Sequence, residues 1–281
     1  MSQTLFFTKM HGAGNDFVVL DAIRDELPEL APIAQRLADR NFGIGCDQIL
    51  VVRPSKEADF RMEIFNADGS QVEMCANGIR AFYHYLRLHG HTSSDEISVE
   101  TLGGIVYPRS AGEGQVTVNM GLPVLVPAKI PTRLGSGEGP VLDAELEVGG
   151  KTVSVSSVSM GNPHAVIYVD GNVDDYPVEE IGPLVENHPA FPNRVNVEFV
   201  EIVSPTHVRQ RTWERGTGET LACGSGACAV TVASILRGAT ERSITIELRG
   251  GELQINWLSE DANVLMTGPA TEVFSGQITL S

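Results

Sequence analysis

Basic residues are scarce in this chain. The 20 Lys and Arg are outnumbered by 36 Asp and Glu, a formal net charge of -16. Such a surface repels nucleic-acid phosphates and anionic lipid, so neither is expected as a partner. No stretch approaches the ~20 apolar residues a membrane helix needs. Met1–Asp16 has no basic start followed by a long apolar run, so no signal peptide is expected and a cytoplasmic location is the default. Cysteine is sparse too: Cys46, Cys75, Cys223 and Cys228 in 281 residues are too few for a disulfide scaffold. None are spaced as CxxC and no HExxH occurs, so no metal site is expected. His84, His89 and His91 read as surface residues late in a helix pattern and in the loop after it. What remains for each cysteine is a choice between small buried hydrophobe and chemical group.

Against these absences stands an ordinary globular composition, 42% hydrophobic and 20% charged. Strands are expected at 5–10, 17–20, 48–52, 60–65, 97–101, 105–108 and 116–120, with helices at 30–41 and 76–88. Asn66–Ser70 reads as a turn. The stretch 123–140, rich in proline and glycine, reads as a connection. Strands are expected again at 153–159, 165–169, 195–203, 207–213, 243–248, 253–257, 263–267 and 273–280, with helices at 178–187 and 225–236. This is an α+β (mixed α/β) chain in which strands dominate.

The chain also contains itself twice. A shift of 148 lays Cys75 on Cys223, Phe65–Ser70 on Trp213–Gly218 and Gln48 on Asn196. Cys-x-(Asn/Ser)-Gly-x-x-Ala fits both Cys75–Ala81 and Cys223–Ala229, and a shift of 147 pairs Gly14-Asn15 with Gly161-Asn162. Polar positions recurring in one order at nearly constant offset point to duplication rather than chance likeness between glycine turns. The expected domains are 1–122, completed by a strand at 270–281, and 123–269. Two copies of one unit would pack about a pseudo-twofold axis, turning Cys75 and Cys223 towards one another.

Each of these two cysteines precedes a helix start, where unpaired N–H groups and the positive end of the dipole favour an anion and are expected to lower a thiol's pKa. The N–H groups of Asn77, Gly78, Gly224 and Ser225 can hold a carboxylate there. A thiolate on one face of a carbon and a thiol on the other would remove an α-proton and return one from the opposite side. Cys46 and Cys228, which have no matched polar turn, read as core residues.

At this point the motifs His11-Gly-Ala-Gly-Asn-Asp-Phe17, Asp68-Gly-Ser…Met74-Cys-Ala-Asn-Gly78, Gly161-Asn-Pro-His164 and Glu214-Arg-Gly-Thr-Gly-Glu-Thr-Leu-Ala-Cys-Gly-Ser-Gly226 resemble the diaminopimelate epimerases, in the family's order and over essentially the whole chain. The resemblance implies a cofactor-independent epimerase that interconverts LL- and meso-2,6-diaminopimelate for lysine and peptidoglycan synthesis. It implies two similar halves, each with strands curled around a central helix, an active site in the cleft between them, and a homodimer. It also implies roles: Cys75 and Cys223 as alternating acid and base; Asn15, Gln48, Asn66, Asn162, Asn196, Glu214 and Arg215 as substrate contacts; the backbones of Ala76, Asn77, Gly224 and Ser225 as a carboxylate cradle; and His164 and Glu214 as groups that tune the thiols. Arg215 offers a planar fork for the distal carboxylate. The family usually has glycine where this chain has Ala76. Were that φ positive, alanine would cost about 1 kcal/mol; it is expected to be tolerated. The alternatives are a proline or hydroxyproline racemase of the same kind, and a redox-sensitive binding protein without catalysis.

Overall fold

The computed structural model describes residues 3–135 and 137–280. In chain order the first elements are strands β1 (Gln3–Gly12) and β2 (Asn15–Asp21), helix α1 (Ala34–Ala38), β3 (Gln48–Arg53), β4 (Phe60–Asn66), α2 (Ala76–Leu88), β5 (Val99–Thr101), β6 (Gly104–Val106), β7 (Arg109–Ser110) and β8 (Gln115–Asn119). Then follow β9 (Val141–Val148), β10 (Lys151–Ser159), β11 (Pro163–Tyr168), α3 (Val178–Glu186), β12 (Asn196–Ser204), β13 (His207–Glu214), β14 (Gly218–Thr220), α4 (Gly224–Leu236), β15 (Ser243–Leu248), β16 (Gly251–Asn256), β17 (Leu265–Pro269) and β18 (Thr271–Leu280). The fold is α+β, mostly sheet with few helices.

The chain divides into two compact units. One holds the residues up to Asn119 and those from Thr267 on; the other holds Met120–Met266.

Each unit repeats the same sheet. In the first, strand order is β18-β1-β2-β3-β4-β5-β6. The β1/β2 pair is antiparallel, β2/β3 parallel, β3/β4 antiparallel, β4/β5 parallel and β5/β6 antiparallel. In the second, the order is β9-β10-β11-β12-β13-β15-β16, with the same alternation of senses. The register agrees as well. Phe17 pairs with Gln48, and His164, its counterpart at a shift of 147, pairs with Asn196. The duplication read in the sequence is therefore present in the topology of each unit.

Helices cover both faces of each sheet. In the first unit Ile49 and Val51 pack with Leu30, Ala34 and Leu37 around α1, while Leu50 turns to α2. The run Ile49–Val52 is wholly buried because neither face is open to water. In the second unit Val197 and Phe199 pack with Val178, Ile181 and Val185 of α3, and Glu198 turns to α4.

The helix expected over 30–41 is shorter than its periodicity predicts. Asp39 leaves the helix with extended backbone, and its carboxylate accepts from the N–H groups of Asn41 and Phe42 at 2.7 Å each. A short polar side chain that captures neighbouring backbone donors ends a helix. Gly43 then lies against Arg36, where a Cβ would meet the carbonyl oxygen at 1.8 Å. Strand β9 was not anticipated. Its exposed Asp143, Glu145 and Glu147 alternate with Ala144, Leu146 and Val148, the period-2 pattern of a half-buried strand.

Candidate active site

Both singled-out cysteines are helix N-caps. Cys75 precedes α2 in extended conformation, and its sulfur accepts from the Gly78 N–H at 3.3 Å. Cys223 precedes α4, and its sulfur accepts from the Gly226 N–H at 3.4 Å. A sulfur in the place of a capping Ser or Asp oxygen sits where the first-turn N–H groups converge. Ala76 occupies the first turn of α2 and is absent from the residues of positive φ, so alanine there carries no backbone strain.

The surroundings of Cys75 lie on β2, β3 and β4. Asn15 opens β2 after the tight turn at Ala13 and Gly14, both of positive φ. Its Oδ1 accepts from Asn77 Nδ2 at 3.3 Å and from the Cys75 thiol at 3.8 Å, while its Nδ2 donates to Asp47 at 2.7 Å. Arg40 bridges Asp47 and Asp16. Gln48 donates to Asn66 at 3.0 Å, and Asn66 donates to Ser70 at 3.0 Å. Asn66 ends β4 opposite Gln48 and also opens the expected turn, its carbonyl accepting from the Gly69 N–H at 3.0 Å. The Gln48 Oε1 is buried and lacks a hydrogen-bond donor among the described residues.

The surroundings of Cys223 form a continuous string. Glu198 accepts from His164 Nδ1 at 2.8 Å; His164 Nε2 meets Asn162 Oδ1 at 3.0 Å; Asn162 Nδ2 donates to the Ser225 hydroxyl at 3.2 Å; and that hydroxyl lies 3.5 Å from the Cys223 sulfur. His164 and Glu198 are fully buried. Asn196 donates to the Pro163 carbonyl at 3.1 Å and accepts from the Arg215 N–H at 2.9 Å. Glu214 accepts from Thr220 at 2.6 Å, and the exposed Arg215 side chain reaches the Asn193 carbonyl at 3.1 Å.

One expectation is overturned. Burial pushes the Cys223 thiol well above its ordinary value, and the charges of Glu214 and Glu198 push it further. The Ser225 hydroxyl and the Gly226 N–H pull it down without prevailing. The helix start does not make this sulfur a thiolate unaided, because a fully desolvated anion beside two carboxylates outweighs one capping N–H. Cys46 and Cys228 are both buried, and burial raises the Cys46 thiol to about 11.

The histidines after α2 also depart from the surface residues expected. His91 meets Asp21 at 2.6 Å with its side chain 9% exposed, and His89 stacks on Tyr85 and meets Glu272 at 2.9 Å. No cluster able to hold a metal occurs among the described residues, and no helix among them is long and apolar enough to cross a membrane.

Sequence reasoning missed Glu198, Asp47 and Arg40. Glu198 had a signal: at a shift of 148 it falls on Leu50, so a carboxylate stands at an inward strand position that its counterpart fills with leucine.

The sequence profile described as diaminopimelate epimerase matches residues 7–126 and 156–273, which correspond to the two halves of the duplication. A diaminopimelate epimerase of Leptospira biflexa is 51% identical over 279 residues, 98% of this chain and 99% of that protein. One from Thioalkalivibrio sulfidiphilus is 52% identical over 279 residues, again 98% and 99%. Among solved structures, a hydroxyproline epimerase from Agrobacterium vitis has a TM-score of 0.70 over 99% of this chain and 93% of its own, at 15% identity, which shows a shared fold. With its motifs, its repeated sheet and half of its residues in common with full-length relatives, the chain belongs to the diaminopimelate epimerase family.

Proposed function

We propose that this protein is a cofactor-independent epimerase that interconverts LL- and meso-2,6-diaminopimelate, with Cys75 and Cys223 as its two bases. The observation that carries the reading is the matched pair of cysteine N-caps, each on the helix that lies against its own copy of one duplicated sheet.

One cysteine removes the α-proton as thiolate, and the other, as thiol, delivers a proton to the opposite face, so the centre inverts. The first-turn N–H groups of Ala76, Asn77, Gly224 and Ser225 form the cradle of the reacting carboxylate, whose charge grows as the carbanion develops. Gln48 presents a buried acceptor that an ammonium group would satisfy. Asn15, Asn66, Asn162, Asn196 and Glu214 complete the polar contacts, and the exposed guanidinium of Arg215 is suited to the distal carboxylate. A site that pairs both ends of the substrate discriminates against amino acids with only one, because its polar groups would be left unmet. His164 and Glu214 are the groups that tune the thiols.

Incubation in deuterium oxide tests this. Solvent deuterium is expected to enter the α-position of diaminopimelate and not of proline, and Cys75→Ala and Cys223→Ala are each expected to abolish epimerisation while leaving the circular dichroism unchanged. Deuterium entering proline instead would assign the chain to the proline racemases. Deuterium entering neither would leave a binding protein. A homodimer and a cytoplasmic location are further parts of this proposal; sedimentation at equilibrium checks the first and cell fractionation the second.

A further inference from the structure

Arg80 is an ionised side chain for which the mechanism above has no use. It lies on α2 in the first unit and is fully buried, second in volume only to Trp257 among the fully buried side chains described. A guanidinium keeps its charge in a protein interior, and taking it out of water is costly, so its place calls for a reason.

Long side chains on a helix lean back towards the helix start. The guanidinium accordingly lies beside the first turn of α2, where Nη1 donates to the Ala76 carbonyl at 3.4 Å and Nε to the Pro269 carbonyl at 3.3 Å. The end of β1 makes room for it. A Cβ on Gly12 would meet Arg80 Nη2 at 3.1 Å, the Asn77 carbonyl oxygen at 3.2 Å and the Pro269 carbonyl oxygen at 3.4 Å. Three segments of one unit thus close around one cation. The second half is built otherwise. At the shift of 148 Arg80 falls on Cys228, a small side chain that is also fully buried. The first turn of α4 lies instead against a carboxylate, Glu198, whose Oε1 a Cβ on Gly226 would meet at 2.6 Å.

We infer that Arg80 is a positioning residue of the carboxylate cradle: docked on the Ala76 carbonyl, it fixes and polarises the peptide that carries the Asn77 N–H, and so makes the α2 turn the stronger holder of the reacting carboxylate. This rests on the reading of the α2 start as part of that cradle. The Ala76 C=O and the Asn77 N–H are opposite ends of one planar unit. A cation on the oxygen draws electrons through the C–N bond and strengthens the N–H as a donor, so guanidinium and carboxylate reinforce one another across the peptide. The charge adds its own attraction along a buried path that salt and water screen little. Donors already held in place need not reorganise as charge grows on the carboxylate. Arg80 acts through the peptide in this scheme and not on the substrate itself. The two cysteine caps are alike in backbone and differ in the charge that stands behind them.

Two alkylating reagents test this without substrate. Iodoacetate and iodoacetamide attack the same thiolate, but only iodoacetate brings a carboxylate. That carboxylate is attached to the carbon the sulfur attacks, as the substrate's is attached to the carbon whose proton the sulfur takes. The ratio of the two rates at Cys75, read by peptide mass spectrometry, therefore cancels the ionisation of the thiol and reports the hold on a carboxylate. Arg80→Met is expected to lower this ratio about tenfold, with the ratio at Cys223 in the same digest unchanged. Arg80→Lys, which keeps the charge and loses the fork, should retain most of it. The kcat/KM for diaminopimelate should fall in the same order, from parent to lysine to methionine. Arg80→Gln carries the same expectation as Arg80→Met should circular dichroism show the latter unfolded. An unmoved ratio at Cys75 in a folded neutral variant would overturn the inference, as would an equal fall at both cysteines or an equal fall in Arg80→Lys. The ratio needs no turnover. A parent that takes no deuterium into diaminopimelate fails the epimerase reading, whereas a folded neutral variant with the parent's ratio fails this inference alone.

Discussion

Asp16 illustrates how single side chains set the stage for Asn15. Burial alone would raise its carboxyl, but hydrogen bonds from Arg40 and Lys9 and the Lys9 charge outweigh burial and hold it at about 2 against an ordinary 3.8. A carboxylate with a depressed folded pKa stabilises the fold above its unfolded value and ceases to do so as pH falls through the folded one. The contribution is therefore complete at neutral pH and disappears between 3.8 and about 2. Asp16→Asn is expected to lose on the order of 1–2 kcal/mol at neutral pH, and to differ little from the parent in strong acid. Urea denaturation at the two pH values checks this; an equal deficit at both would place the effect outside ionisation. None of this arrangement was legible beforehand, because Lys9, Asp16, Arg40 and Asp47 come from four separate segments and no spacing links them.

At the scale of elements, α2 and α4 start alike and are packed differently. The glycine three residues after each cysteine marks the contrast. A Cβ on Gly78 would meet Leu50 Cδ2 and Cys75 Cβ at 3.2 Å, and a leucine methyl can give way. A Cβ on Gly226 would meet Glu198 Oε1 at 2.6 Å and Gln210 Nε2 at 3.2 Å, and Glu198 is held by His164. Alanine ordinarily stabilises a helix by about 1 kcal/mol over glycine. Gly226→Ala is nonetheless expected to destabilise by about 1–3 kcal/mol through crowding, with Gly78→Ala the milder of the two. Comparable midpoints in guanidinium chloride for the two variants would show that Glu198 is not fixed under α4. Helix α2 was readable to both ends, since its apolar stripe runs from Ile79 to Leu86 between a cysteine cap and a glycine two residues beyond its end. The end of α1 was not, because Asp39 decides it by hydrogen bonds that periodicity does not contain. Gln48, Asn196 and the cysteines could be paired by offset alone, whereas Glu198 emerges only when a polar residue is compared with its apolar counterpart.

For the molecule as a whole, the repeated strand order matters most. Six strands of the first sheet precede Asn119, but the strand that covers the edge of β1 is β18, paired antiparallel from Gln3–Leu280 to His11–Thr271. In the second unit the equivalent place is filled by β9, which directly precedes β10. Deletion of Thr271–Ser281 should therefore bare the β1 edge and strip Phe7 of Phe274, its edge-on neighbour at 6.0 Å. Hydrogen exchange is expected to show lost protection in β1 and β2, with β10–β13 close to the parent; uniform loss across both sheets would mean the units do not respond separately.

That strand has a consequence for biosynthesis. The ribosome releases β1 before β18, with Met120–Met266 in between. A domain folds once its own residues have emerged. The second unit can therefore close during translation, while β1 waits with an unpaired edge until β18 emerges. A stalled or prematurely terminated chain would carry one finished sheet and one adhesive edge. Of the two halves of this duplicated protein, the one that comes first in the sequence is the one that matures last.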